Sequence, residues 1–263
     1  MLNYFGVDSK KIACWVNGNG FDEQAQSLFF IHGSGGDHSL WSFQYARLNK
    51  NFNIVAVDLP GHGSSEGSGE SDINVYSLWV KKLLDVLQLK NVIIIGHSLG
   101  AAIALTLAAD FGSMIKGIAA VGGGLKMPVN PAIFELLKKE PETAFELMCK
   151  FSLAKENRTK LAEPLKKSMA AANIEALYND LVACDKIDLT EKVKNINLPS
   201  LIICGEEDKM TPPQLSRDIA ANINGSKTCF IKNAGHMVMM ENPEDFDNAL
   251  IAFAQSIPAQ KPY

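Results

Sequence analysis

Val92–Ile95 is a run of four β-branched residues that passes straight into Gly96-His97-Ser98-Leu99-Gly100, and a small-residue helical pattern follows to Asp110. A strand, a sharp turn and a helix compressed this tightly leave few folds open. In this strand–turn–helix form the serine takes a strained backbone that pushes its oxygen out at the top of a sheet. Gly96 and Gly100 remove the β-carbons that would clash in such a turn, and Ala101 and Ala102 let the helix lie close to the sheet. Ser98 is therefore a candidate nucleophile. A Gly-x-Ser-x-Gly turn alone is common, so the case depends on partners elsewhere in the chain.

The rest of the chain repeats the same alternation. Candidate strands are Lys11–Asn17, Ser27–His32, Asn53–Asp58, Val92–Ile95, Gly117–Val121, Ser200–Cys204 and Lys227–Ile231, with one more near Leu2–Val7. The runs LFFI, IVAV, VIII and LIIC are continuously apolar, as in strands covered by helices on both faces. The clearest helix is Ile73–Leu87, where Tyr76, Trp79, Val80, Leu83, Leu84 and Leu87 make one stripe and Ser71 or Asp72 can cap the start. Strands alternating with helices predict an α/β fold with a doubly wound, mostly parallel sheet of about eight strands.

One segment departs from this rhythm. After the sixth strand, residues 126–188 carry no strand pattern. Four helical patterns appear instead, at Pro131–Glu140, Glu142–Leu153, Asn157–Ala172 and Ile174–Cys184. An insertion at a strand's C-terminal end lies where α/β proteins bind ligands. It is expected to form a helical cap, with 1–125 and 189–263 forming the core.

A hydroxyl at its ordinary pKa is a poor nucleophile and needs a base beside it and an orienting group behind the base. Where an acid and then a histidine follow a serine on such an elbow, His236 is the one histidine of the five that lies beyond Ser98. His97 is adjacent to Ser98 but is expected to point away from it, and His62 to build its loop. The acid is expected after a strand, where SLIICGEEDKMTPP offers Asp208 with Glu206 and Glu207 as rivals.

Five motifs in order, HGSGGDHSLW, DLPGHGSS, GHSLG, GEEDKMTPP and GHMVMMENPEDF, make nearly the whole chain resemble the α/β-hydrolase superfamily, in its branch with a helical cap. The resemblance places the acid on Asp208, within G-x-x-D-x-x-x-P, and the histidine on His236, within G-H-x-x-x-x-E-x-P. It also implies an oxyanion hole built from the backbone N–H groups of Leu99 and Ser34. Backbone donors suit that task because they are fixed dipoles. The glycines of HGSGG fit no phosphate loop, because no Lys-Ser/Thr follows them.

These parts imply a serine hydrolase, with a carboxylesterase on small to medium apolar esters as the leading reading. No cofactor and no metal is expected. The same triad serves carbon–carbon bond hydrolases, lactonases, thioesterases and haloperoxidases. A rival of another class is a hydrolase-like small-molecule receptor, to whose loop HGSGGDHSLW, with Asp37 and Trp41, has some likeness. Met127, Phe145, Met148 and Met237 are candidates for lining an apolar acyl pocket.

Composition narrows the partners. A net charge of −4 with no basic run gives no reason to bind nucleic acid or anionic lipid. No apolar run approaches the length of a membrane span, and MLNYFGVDSKK lacks the form of a signal peptide. Five scattered cysteines, without a CxxC pair, argue against disulfides or a zinc site and for a reducing cytoplasm. The expected partner is a small-molecule substrate, and the oligomeric state is left open.

Overall fold

A computed structural model describes residues 1–258. The last five positions of the expected core, 259–263, lie outside the described residues. The chain opens with a hairpin of β1 (Leu2–Val7) and β2 (Lys10–Val16). Its two turn residues, Asp8 and Ser9, both have positive φ, at 47° and 64°, which matches the twist of a tight hairpin. Then follow β3 (Ser27–Ile31), α1 (Ser42–Leu48), β4 (Asn53–Val57), α2 (Ile73–Leu87), β5 (Val92–His97), α3 (Leu99–Phe111) and β6 (Gly117–Val121).

Four helices come next: α4 (Pro131–Lys139), α5 (Pro141–Ser152), α6 (Arg158–Ala171) and α7 (Ile174–Lys186). The chain returns to the sheet with β7 (Ser200–Gly205), α8 (Pro213–Asn222) and β8 (Lys227–Ile231), and ends in α9 (Val238–Glu241) and α10 (Pro243–Ser256). The helix α2 has the range its apolar stripe predicts, and the Asp72 side chain accepts the Asn74 N–H at its start.

The eight strands form one sheet in the order β1-β2-β4-β3-β5-β6-β7-β8. Pairing is antiparallel as far as β2–β4 and parallel from there on. Side chains alternate between two buried layers. Phe29 and Ile31 join the layer of α2, α3 and α8, while Leu28 and Phe30 join that of α1, α9 and α10. Burial on both faces accounts for strands that read as unbroken apolar runs.

From β3 the chain steps to β4 on one side and then reverses, so β5 adds on the other side of β3. Ligands in open α/β sheets bind at the carboxyl ends of the strands at such a reversal. The loop after β3 and the turn after β5 meet there.

Candidate active site

Ser98 stands between β5 and α3 with φ 54° and ψ −113°, a conformation that costs a non-glycine residue energy. The surrounding chain holds it there. The Ser98 N–H donates to Val121 O at 2.8 Å. A β-carbon on Gly96 would stand 1.9 Å from Gly100 O, and one on Gly100 would stand 2.5 Å from Ile31 O. The turn therefore admits no side chain at either glycine. Leu99 opens α3 and is buried; its N–H belongs to the first turn, where no helical carbonyl is available to accept it. Ser34 follows β3 on the adjacent loop, beside Gly33, whose β-carbon would stand 3.2 Å from Ser98 Cβ.

His236 lies on the loop after β8 and Asp208 on the loop after β7. His236 Nδ1 and Asp208 Oδ2 are 2.9 Å apart. An ionised carboxylate only accepts, so Nδ1 carries a proton, and in the neutral ring Nε2 is the nitrogen with the lone pair. Asp208 is 4 % exposed. Its Oδ1 accepts the Met210 and Thr211 N–H groups, both at 2.9 Å. Burial opposes its charge, but His236 and the donors of Thr211 outweigh that and hold the carboxyl below the ordinary range. The rival acids take no part in these contacts: Glu206 and Glu207 donate their backbone N–H groups to Ile231 O and Ala234 O.

Thr211 has no counterpart in the sequence reading. Its Oγ1 lies 2.8 Å from Gly122 O, 2.9 Å from Asp208 Oδ2 and 3.1 Å from His236 Nδ1. A threonine beside two prolines carries no signal for this role. His97 is a support, as expected. Its Nε2–H donates to the His236 carbonyl at 2.9 Å, and burial together with the nearby His236 ring pushes its pKa down to about 3. His32 lies beneath the glycine loop. It accepts the Leu59 N–H at Nε2 and donates from Nδ1 to Gly33 O.

Ser98, Ser34 and His236 all line one cavity of about 730 Å³ between the strand ends and α4–α7. Met127, Met148 and Met237 line it too. Phe145 does not. It is 2 % exposed and packs among Leu137, Ala144, Leu177 and Leu181 inside the helical insertion. Residues 145 and 148 stand one turn apart on α5, which has apolar contacts on two sides, so spacing alone cannot assign each to a side. Trp41 is likewise a core residue, set between Phe30 and Phe246.

Among the described residues, Asp37, His38 and Asp58 have donor atoms close enough to share a metal ion. Other contacts account for them. Asp58 accepts His38 N–H, His38 Nδ1–H and Ser64 N–H, and Asp37 caps the turn at Ser39 N–H.

Comparison with known proteins identifies the family. The model of the alpha/beta hydrolase family matches residues 28–249. An AB hydrolase superfamily protein of Bacillus subtilis, YisY, is 27 % identical, with 87 % of this chain and 91 % of the relative covered. The 3-oxoadipate enol-lactonase 1 of Acinetobacter baylyi is 25 % identical over 94 % of both chains. A solved thermophilic esterase superposes with a TM-score of 0.83 at 30 % identity, covering 97 % of this chain and 98 % of its own.

Proposed function

The chain belongs to the alpha/beta hydrolase family, and from that premise we propose that it is a carboxylic ester hydrolase acting through Ser98. One observation carries the reading: Ser98 is held at positive φ in the cavity that also receives His236, whose Nδ1 is bonded to buried Asp208. Strain of this kind persists only where the surroundings enforce it.

The steps follow from the groups present. His236 Nε2 takes the Ser98 Oγ proton as Oγ attacks the acyl carbon. The Leu99 and Ser34 N–H groups hold the oxyanion. The carbon–oxygen bond to the leaving alcohol breaks, and His236 returns the proton to that oxygen. Water then attacks the acyl-enzyme, gives its proton to His236, and Ser98 leaves with it. Asp208 keeps the proton on Nδ1 throughout and stabilises the imidazolium.

The helical insertion acts as the cap over this site. A cavity of about 730 Å³ lined by Met127, Met148 and Met237 suits small to medium apolar acyl groups, because methionine adapts to varied shapes. A lactone is an internal ester that the same steps would open, and the enol-lactonase relative favours including lactones among the substrates. The reading requires a small-molecule partner and no cofactor. Five free thiols suit a reducing cytoplasm.

The test is labelling by a fluorophosphonate. The wild type is expected to label and Ser98→Ala to remain folded and unlabelled. Equal labelling of both proteins removes Ser98 from the mechanism. A rate panel of p-nitrophenyl esters of rising acyl length, with lactones and thioesters beside them, then identifies the acyl group.

A further inference from the structure

Asp180 is fully buried on α7, within the helical insertion. Its Oδ2 accepts the Gly35 N–H at 2.9 Å and lies 2.8 Å from His62 Nε2. Its Oδ1 accepts the Tyr76 hydroxyl at 2.5 Å. His62 Nδ1 meets the Pro60 carbonyl at 3.1 Å. Both ring nitrogens of His62 thus face oxygen acceptors, an arrangement that favours the doubly protonated ring. The raised His62 pKa agrees: Asp180 and the Pro60 carbonyl outweigh the burial that opposes its charge. None of these side chains lines the cavity, and the catalytic steps use none of them.

Their common feature is the loop they hold. Residues 33–36 read Gly-Ser-Gly-Gly, and glycine-rich backbone is the most costly to order. Three positions spaced along one face of α7 meet this loop. Leu177 Cδ1 stands 3.0 Å from where a Gly35 β-carbon would be. Asp180 takes the Gly35 N–H. Cys184 Sγ lies 3.8 Å from Ser34 Oγ. Positions 177, 180 and 184 share a helix face. Tyr76 on α2 and His62 on the loop after β4 aim the carboxylate from the core side. A buried carboxylate with this many donors is a fixed point, and the loop is attached to it one residue past Ser34.

We propose that Asp180 is a positioning residue for the oxyanion hole, fixing the Ser34 N–H through its bond to Gly35, so that α7 is part of the catalytic frame and not of a moving lid. This rests on the reading of Ser98 and Ser34 given above. A purely structural Asp180 would hold the insertion on the core and would affect all ligands alike. A positioning Asp180 affects only ligands that place charge in the hole.

The experiment compares two inhibitors of one carbon skeleton. An alkyl trifluoromethyl ketone adds Ser98 Oγ and places an oxyanion in the hole. The matching secondary alcohol occupies the cavity without doing so. Asp180→Ala is expected to weaken the ketone about 10- to 100-fold while alcohol binding stays within about threefold. Asp180→Asn is expected to fall between Ala and wild type, because its amide oxygen can still accept the Gly35 N–H. It carries the test if the alanine variant does not fold. Equal weakening of ketone and alcohol, or a ketone-to-alcohol ratio unchanged from wild type in a variant that folds, overturns the proposal. A wild type that fails to prefer the ketone, or a preference that survives in Ser98→Ala, instead overturns the nucleophile reading on which it rests.

Discussion

The backbone N–H of His236 donates to the carbonyl oxygen of Ser152, 2.8 Å away, tying the candidate base to the last turn of α5. Glu241 strengthens the join. Its Oε1 accepts the Gly235 N–H, and its Oε2 accepts the Ala154 N–H and the Asn157 amide. Together with Asp180, this means the helical insertion is bonded to the loops on both sides of the cavity. The acidic residue of the Gly-His…Glu-x-Pro pattern is thereby explained: it closes the loop that carries His236 onto the turn that follows α5.

Glu241→Ala leaves three donors without their acceptor. Stability is expected to fall by about 2–4 kcal/mol and kcat by about tenfold through a misplaced His236, with Glu241→Gln recovering part of both. Denaturant melts and ester hydrolysis rates measure the two effects. A Glu241→Ala protein that melts early but turns over at the wild-type rate would show that the join matters for folding alone.

Among the three adjacent acids only Asp208 touches His236. Asp208→Asn is expected to lower kcat by about a thousandfold or more, because an amide can turn its donor toward Nδ1 and favour the wrong tautomer. Glu206→Gln and Glu207→Gln are expected to remain near wild type. Steady-state kinetics on one p-nitrophenyl ester decides, and a large loss in the Glu207 variant would transfer the role to that residue.

The two α5 residues make a paired prediction. Phe145→Ala is expected to cost about 3–5 kcal/mol of stability and leave the dependence of kcat/KM on acyl length unchanged, since Phe145 packs inside the insertion. Met148→Ala, beside the cavity, is expected to shift that dependence toward longer chains. A shift produced by Phe145→Ala and not by Met148→Ala would return Phe145 to the pocket.

Much of this was readable in one dimension because the determining signals are local. Unbroken apolar runs identify β3, β5 and β7, and a stripe with Asp72 before it identifies α2. The elbow declares itself through Gly96 and Gly100, whose absent β-carbons are a backbone requirement. What escaped depends on contacts between distant segments. Ser152 serves His236 through a carbonyl, which every residue has. Thr211 acts through a hydroxyl aimed at three partners from separate loops. Asp180 did leave a trace, an acid between Leu177 and Leu181 on the apolar side of a helix, where a charge must find partners. Phe145 failed for the opposite reason: α5 buries apolar residues both within the insertion and against the cavity.

His97 gives a pH dependence of stability whose sign follows from its burial. Its pKa is pushed from 6.5 to about 3 in the folded protein, so between those values the unfolded chain takes up a proton that the folded one refuses. Stability therefore rises with pH across this window and falls as the pH drops below 6.5, by up to about 1.4 kcal/mol per pH unit for one group. His32, lowered to about 4, adds a slope of the same sign. Asp208 and Asp58, both held below their ordinary 3.8, add to this slope at the acid end, and Asp247, raised by burial, opposes it, so the comparison of wild type with a His97 variant is what isolates that ring. His97→Gln can keep the donation to the His236 carbonyl and has no proton to gain. Its denaturant midpoint is expected to vary less steeply with pH than that of the wild type, by the contribution of one proton. Parallel curves for the two proteins would mean that His97 titrates in the folded protein near its ordinary 6.5, and that burial does not hold its ring neutral.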